Sequence, residues 1–578
     1  MHTDNSPLQS ILESPYRYSM PAYQRFYSWG GENRAKLWSD ICGRVEDDKH
    51  RAHFMGTLVF VTMPHSPGSD PILRVVDGQQ RLITLSLLLC ALRNVARLCS
   101  LGQLAEEIHE TYIVNPFQEG QSRLRIFPRQ RDREDYTAAV TGNRAPEGEI
   151  GATLRYFTKR IREDVLEMSG RPNGEGGPAE PSDDFFDDGA AVEKRLRKLL
   201  AVLKSSLDFV HITLDSERRA YQTFQSLNST GLDLAQSDLI RCEVMMHVPS
   251  RSQEDFDREE WKPVEDRFRD EDGDLDEQAF SRFFRHILLT EGTYVYKDDT
   301  AEAFKKRYIG SGPDFDPPRL AALLRRHARL YDYLREKREH PSAPVAQAIQ
   351  RLIALETTTA FPLALKLLAM LDAGEVSDQV VAEALRRVAG FVFRRKVCGQ
   401  ASTGYVRWFT FACKHVSNEE EGILPGLTAF LEKKGYPGDE QFAEAFARYE
   451  LFRSDYKRAA LKALERSYPH RERADLSQAQ VEHVMPQVLT SEWRAALGPD
   501  ANRLHERLVH TPGNLTLSAY NGELSNAPFP EKCEEYERSN IVMTRRLAGL
   551  KTWDQKTIEA RSRMLAEQAT EIWIGPPF

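Results

Sequence analysis

The stretch Ile72-Leu-Arg-Val-Val-Asp-Gly-Gln-Gln-Arg-Leu-Ile-Thr-Leu85 sets the reading of the N-terminal half. Ile72 to Val76 are strand-forming residues, Asp77-Gly78 is a turn signal, and Leu82 to Leu98 reads as a buried helix. A strand, a tight turn and a helix therefore follow one another with no spacer. Upstream, Phe54-Met-Gly-Thr-Leu-Val-Phe-Val-Thr62 reads as a partner strand, and 64–71 as a hairpin connection. Such a turn is a common place for a phosphate. Backbone N–H groups at the helix start face outward, and the helix dipole favours an anion. Gly78 serves the turn. Arg81 is placed to fork onto a phosphate, Gln79 or Gln80 to orient a water, and Asp77 to hold a divalent cation or align a nucleophile. Gln24 and Arg25 form a second polar group, expected to fold over the same site. The plainer alternative makes Asp77-Gly78 only a turn and Arg81 a surface residue.

Further along, Ser169 to Ala190 is rich in Gly, Pro and acidic residues and reads as a surface loop with no core of its own. Phe209 to Leu214 reads as one more strand. Tyr221 to Met246 reads as a turn at Asn228-Ser-Thr-Gly231 and then a helix. From about 255 to 470, helical periodicity dominates, clearest in Leu320–Leu334, Val345–Thr357, Phe361–Leu371 and Val380–Phe393. No repeat of fixed period is found, so a solenoid is not supported. After 475 the pattern is mixed again, with short strands expected at Ala479–Val484 and Asn514–Leu517.

Five segments in one order carry a resemblance: Tyr23-Gln-Arg-Phe-Tyr-Ser-Trp29, Leu37-Trp-Ser-Asp-Ile41, Phe54-Met-Gly-Thr-Leu58, Val76 to Leu85, and Phe224-Gln-Ser-Leu-Asn-Ser-Thr-Gly231. Together they resemble the N-terminal domain of GmrSD-type modification-dependent restriction systems, over roughly residues 10 to 245. The resemblance implies a ParB/sulfiredoxin-like fold and nucleotide hydrolysis, with Asp77, Gln79, Gln80 and Arg81 at the nucleotide site.

A second constellation lies at Glu482-His-Val-Met-Pro-Gln487 and Gly513-Asn-Leu-Thr-Leu517, continuing to Lys532. A histidine on a strand can sit rigidly against a scissile phosphate and take a proton from water. A neighbouring carboxylate can bind Mg²⁺. A strand with His, a strand with Asn and a helix with a metal-facing Asn is the logic of a ββα-metal, or HNH, nuclease. The plainer alternative is a partly buried histidine with turn-capping asparagines. The segment, roughly 420 to 560, is similar to the C-terminal HNH-like domain of the same family. That similarity implies His483 as general base, Glu482 as metal ligand, and Asn514 as the residue holding the loop that orients His483. Asn521 or Asn526 would take the third HNH position, and Lys532 would neutralise a phosphate.

The 578 residues carry a formal charge of −8, which excludes a uniformly basic DNA coat but not a local basic path. Between Ala384 and Asn418 there is no acidic residue, while Arg386, Arg387, Arg394, Arg395, Lys396, Arg407 and Lys414 all occur. This stretch is expected to contact DNA; the alternative is a solvated helix face. The aromatic group Tyr16, Tyr18, Tyr23, Phe26, Tyr27 and Trp29 reads as packing of the N-terminal arm, or as a surface reading a modified base. Seven scattered cysteines with no C-x-x-C argue against a disulfide framework. The absence of a signal-like start points to the cytoplasm, and the longest apolar run, Leu82–Leu92, is too short for a membrane span.

The expected fold class is α+β and mostly helical. A ParB/sulfiredoxin-like α/β domain is expected at 10–245, a helical connecting region at 246–419, and an HNH-like domain at 420–578. The expected function is modification-dependent restriction in phage defence, coupling hydrolysis of a nucleoside triphosphate to Mg²⁺-dependent nicking or cleavage of DNA. Glucosylated hydroxymethylcytosine and phosphorothioate linkages are both compatible with the resemblance, as is a homo-oligomer. Two rivals stand beside this reading: a DNA-binding regulator with a decayed nuclease, and a nucleotide-switched interaction protein.

Overall fold

The structure is a computed structural model. It describes every residue except 1, 22–23, 25, 47–52, 64–70, 169–188, 215–234, 272, 311–314, 417–418, 471, 520–525 and 577–578. Most of the 64–71 connection, most of the 169–190 loop, the Asn228–Gly231 turn, Tyr23, Arg25 and Asn521 lie outside the described residues.

The chain divides into two compact units. One comprises Met1–Pro263 with Tyr308–Arg319, the other Val264–Arg307 with Leu320–Phe578. Most of the helical stretch expected at 246–419 thus shares a unit with the C-terminal segment, while 246–263 and 308–319 fall in the first unit.

The first unit is built on a mixed sheet of order β1-β6-β3-β4-β2-β5. Its strands are β1 (His2–Pro7), β2 (Arg17–Ser19), β3 (His53–Thr62), β4 (Ile72–Asp77), β5 (Ile126–Phe127) and β6 (Leu207–Leu214). β3 and β4 pair antiparallel, as a hairpin must, whereas β3 and β6 run parallel. The helix Gln79–Leu98 leaves β4 through Gly78 alone. Gly78 has φ +92°, and a Cβ there would lie 2.1 Å from Leu58 Cδ2, so only glycine fits. The helix is apolar on nearly every side and is buried on nearly every side. Arg93, which breaks its apolar run, is fully buried. Its guanidinium donates to Ala139 O at 2.9 Å and to Val140 O, satisfying carbonyls at the end of the helix Gln130–Thr141.

Among its described residues the second unit is helical, apart from a two-stranded antiparallel sheet of β7 (Gln480–His483) and β8 (Leu515–Ser518), in which His483 faces Leu515. The helix Phe529–Glu537 follows. The C-terminal helix Gln555–Ile572 and the residues after it return to the helix Asp378–Val397. Phe393 stacks on Trp573 with ring centroids 4.0 Å apart, and the Tyr436 hydroxyl donates to Ile574 O at 2.5 Å. Among the described residues, no helix is long and apolar enough to cross a membrane.

Candidate active sites

In the first unit, the turn after β4 and the segment before the helix Gly31–Glu46 meet. Gln24 Nε2 donates to Val76 O at 2.5 Å. Gln80 Nε2 donates to Phe26 O at 2.9 Å, and its Oε1 accepts from Ser28 N at 2.9 Å. The expected fold-over of the Gln24 segment is therefore present. Both ends of the Gln80 amide hold backbone in this arrangement, so the glutamine straps the Phe26–Ser28 segment to the start of the helix. Gln79 is buried. Arg81 Nη1 donates to Met55 O at 3.0 Å, and Nη2 lies 3.4 Å from Asp77 Oδ2. Both side chains of that pair stay about a fifth exposed.

Sequence reading missed the reason for Gly56. It has φ +103°, and a Cβ there would lie 2.2 Å from Arg81 Nη1, so the glycine of Phe54-Met-Gly-Thr-Leu58 makes room for the arginine. It also missed a charged cluster behind Phe26. Arg129 stacks on the Phe26 ring at 3.8 Å, donates to Gln24 O, and pairs with Asp257 at 2.7 Å; Arg241 pairs with the same carboxylate. Asp132 accepts the Tyr27 N–H at 2.9 Å. Burial pushes its carboxyl up to about 6, against the opposing pull of that N–H and of Arg129. The signal was the run Arg129-Gln-Arg-Asp-Arg133, which has no apolar periodicity to explain it. Tyr18 and Tyr27 are buried in the core, so the packing reading of the aromatic arm holds for them.

In the second unit, β7 delivers His483 and the turn before β8 delivers Asn514. Asn514 is fully buried and all its amide atoms are engaged. Oδ1 accepts from Met485 N at 2.7 Å and from Trp553 Nε1 at 3.0 Å; Nδ2 donates to Met485 O and Val509 O, each at 2.9 Å. The asparagine thus clamps the residues just after His483 on both backbone polarities. Its own turn is clamped from the C-terminal helix. Arg561 Nη1 donates to Gly513 O and Leu515 O at 2.7 Å each, and Ser562 Oγ accepts the Gly513 N–H at 3.0 Å.

His483 is buried, with Nε2 3.3 Å from His510 Nδ1 and the Phe452 ring 4.2 Å away. Burial, then the neighbouring His510, Lys532 and His505, push its imidazole down to about 3, so it is neutral at pH 7. His505 contacts Pro486 O at 2.9 Å.

Two expectations change here. Glu482 Oε1 lies 2.7 Å from Lys532 Nζ, and Lys532 also donates to the His483 carbonyl at 2.9 Å. Lys532 has no exposed side-chain surface, so it neutralises Glu482 and not a phosphate. Burial raises the Glu482 carboxyl and lowers the Lys532 ammonium, while each partner opposes the shift of the other. Mg²⁺ takes oxygen donors in near-octahedral geometry. The nearest carboxylate is ion-paired, the other groups are imidazoles, and among the described residues no three His, Cys, Asp or Glu are placed to hold a metal. Glu482 is therefore held as a counter-ion to Lys532 and is not free as a metal ligand. Asn526 is exposed in the turn before the helix Phe529–Glu537, not on it.

The basic stretch is corrected in part. Arg394 is fully buried, donating to Trp573 O, Pro437 O, Thr570 O and Asp439. Arg395 is buried too, donating to Lys434 O, Gly435 O and Ala401 O. Arg387 binds Glu383 and Thr428 and is largely covered. These three hold backbone and side chains and are not free for a phosphate. Arg386 pairs with Glu383 at 3.3 Å but is more open, and Lys396 and Arg407 are exposed. Arg407 lies over Tyr294, 4.8 Å from its ring centroid, and donates to the Tyr296 hydroxyl at 3.2 Å.

Comparison with known proteins agrees with this division of sites. Residues 8–245 match the model of the GmrSD restriction endonuclease N-terminal domain. Residues 436–568 match that of the GmrSD restriction endonucleases C-terminal domain. No curated protein matches the chain. Both halves of one family are thus present in order, with the Gln80–Arg81 turn in the first match and the Asn514-clamped His483 in the second: the chain belongs to the GmrSD restriction endonuclease family, whose partner is DNA.

Proposed function

We propose that this endonuclease is modification-dependent, serves phage defence, and couples turnover of a nucleoside triphosphate in the first unit to nicking or cleavage of DNA in the second. The observation that carries the nuclease assignment is the fixed, neutral His483. Its following loop is clamped by Asn514, and a neutral imidazole keeps a lone pair for the attacking water. His483 is the general base in this reading, and Asn514 its positioning residue. Since the carboxylate expected to bind Mg²⁺ is held by Lys532, no step is assigned to a metal, and metal dependence is read by assaying plasmid nicking with and without Mg²⁺.

For the first unit, the partly exposed Asp77–Arg81 pair at the start of the helix Gln79–Leu98 supports an anion site. Arg81 would leave Asp77 for a phosphate. The strap that Gln80 makes to Phe26 and Ser28 favours a second reading, in which nucleotide binding shifts this segment without turnover.

His483→Ala is expected to abolish DNA cleavage and leave nucleotide hydrolysis measurable; normal cutting removes the nuclease assignment. Asp77→Ala or Arg81→Ala is expected to suppress turnover. Tight binding with no phosphate release by the parent would select the switch. Matched DNAs, unmodified, glucosylated and phosphorothioated, identify the modification.

A further inference from the structure

His510 lies outside both motifs that mark the nuclease site, yet its ring is the polar group that meets the His483 imidazole. Both rings are held by one side chain. Phe452 stacks on His510 at 5.4 Å with 12° between planes, and meets His483 edge-on at 4.2 Å. The backbone adds a tie, with Phe452 N donating to His510 O at 3.2 Å. The 3.3 Å approach of His483 Nε2 to His510 Nδ1 is thus an arrangement built by packing.

One of these two nitrogens must carry the hydrogen and the other must accept it. The choice has a chemical consequence. If His510 Nδ1 donates, the neutral His483 carries its proton on Nδ1 and its one lone pair is used at Nε2. Such a ring cannot take a proton from water. If His483 Nε2 donates, the lone pair is left on Nδ1.

We propose that His510 is the positioning residue that fixes the tautomer of His483: its Nδ1 accepts the His483 Nε2–H and so leaves His483 Nδ1 as the proton acceptor. This rests on the assignment of His483 as the nuclease base. It gives His510 the part that a buried carboxylate plays in a hydrolase triad, with a neutral acceptor in place of an anion. The role requires a neutral His510. The groups facing it favour that form: burial first, then Arg453, lower its imidazole, with His505 acting the same way and Glu450 opposing.

The test uses the full chain and a supercoiled modified plasmid, with His483→Ala run alongside. Asparagine can place its Oδ1 where the histidine Nδ1 stands, so His510→Asn keeps the acceptor and removes the titration. Leucine keeps bulk and removes the acceptor. We expect H510N to nick within about threefold of the parent. H510L is expected to lose roughly 10²-fold in kcat with little change in KM for DNA. In His510→Asp the acceptor is an anion, so the acid limb of the rate profile should move to higher pH. A merely structural role would produce neither the rescue by asparagine nor the shifted limb. If H510N is as slow as H510L while melting like the parent, or if H510L nicks normally, the inference fails. In both cases an inactive H483A leaves the nuclease assignment intact. If H483A cuts normally, it is the nuclease assignment that fails.

Discussion

Lys532 Nζ stands 2.7 Å from Glu482 Oε1 with no exposed side-chain surface, directly under the strand that carries His483. Lys532→Met would leave a buried carboxylate without its counter-charge, at a cost of roughly 3–5 kcal/mol. The variant should become less stable as pH rises, because the folded state would hold the Glu482 proton more tightly than the unfolded chain does. Denaturant melts at acid and neutral pH check the sign. Adding Glu482→Leu should recover part of the loss. The salt dependence of DNA binding should not change, since this lysine meets no solvent.

The basic residues separate by burial. Arg394→Ala should unfold or strongly destabilise the second unit, because it removes a fully buried side chain and strands the three carbonyls it holds. Lys396→Ala and Arg407→Ala should leave melting nearly unchanged. Each should flatten the slope of log K against log salt by about one for every phosphate no longer neutralised. Titrations of one DNA at several salt concentrations measure this.

Gly513→Ala places a Cβ 2.2 Å from Ile558 O and 2.3 Å from Ser562 Oγ. The turn must then leave the C-terminal helix and take Asn514 with it. A loss of about 3 kcal/mol is expected, together with loss of nicking. Thermal melting and a nicking assay on the same sample test both.

His286 is buried against the Tyr331 hydroxyl at 2.9 Å, and burial, then Arg285 and Arg282, push its imidazole down to about 3. The unfolded chain binds this proton below about 6.5 while the folded one does not. Stability should therefore fall as pH drops from 6.5 toward 3. His286→Gln should reduce that slope, as read from unfolding midpoints across the same range.

How much of this was readable in advance follows from physical range. The β4 strand, the turn and the helix Gln79–Leu98 are coded by neighbours, so period and turn chemistry found them. So did β7 and β8, whose residues alternate or run apolar over only a few positions. The parallel pairing of β3 with β6 joins segments far apart in the chain and has no local signature. The fate of the arginines was hidden for a related reason. Glu383, the counter-charge of Arg386 and Arg387, stands one residue outside the acid-free window. Asp439 and the carbonyls that hold Arg394 are distant in sequence. A charge count along the chain measures what is present, whereas binding to DNA depends on what folding leaves uncovered. The histidine motif named His483 and Asn514, but their partners His510, Trp553 and Arg561 come from segments that no short motif joins.

The stacking of Trp573 on Phe393, and the grip of Arg394 on the carbonyl of that same tryptophan, bear on how this nuclease can be recombined. A crossover placed between the helix Asp378–Val397 and the catalytic segment would pair a foreign tail with a native socket. Shuffled chimaeras broken there should come out insoluble, whereas those exchanging both ends together should fold. The portable cassette is therefore larger than the catalytic motif: inheritance of the cutting activity has to carry the helical bundle along with it.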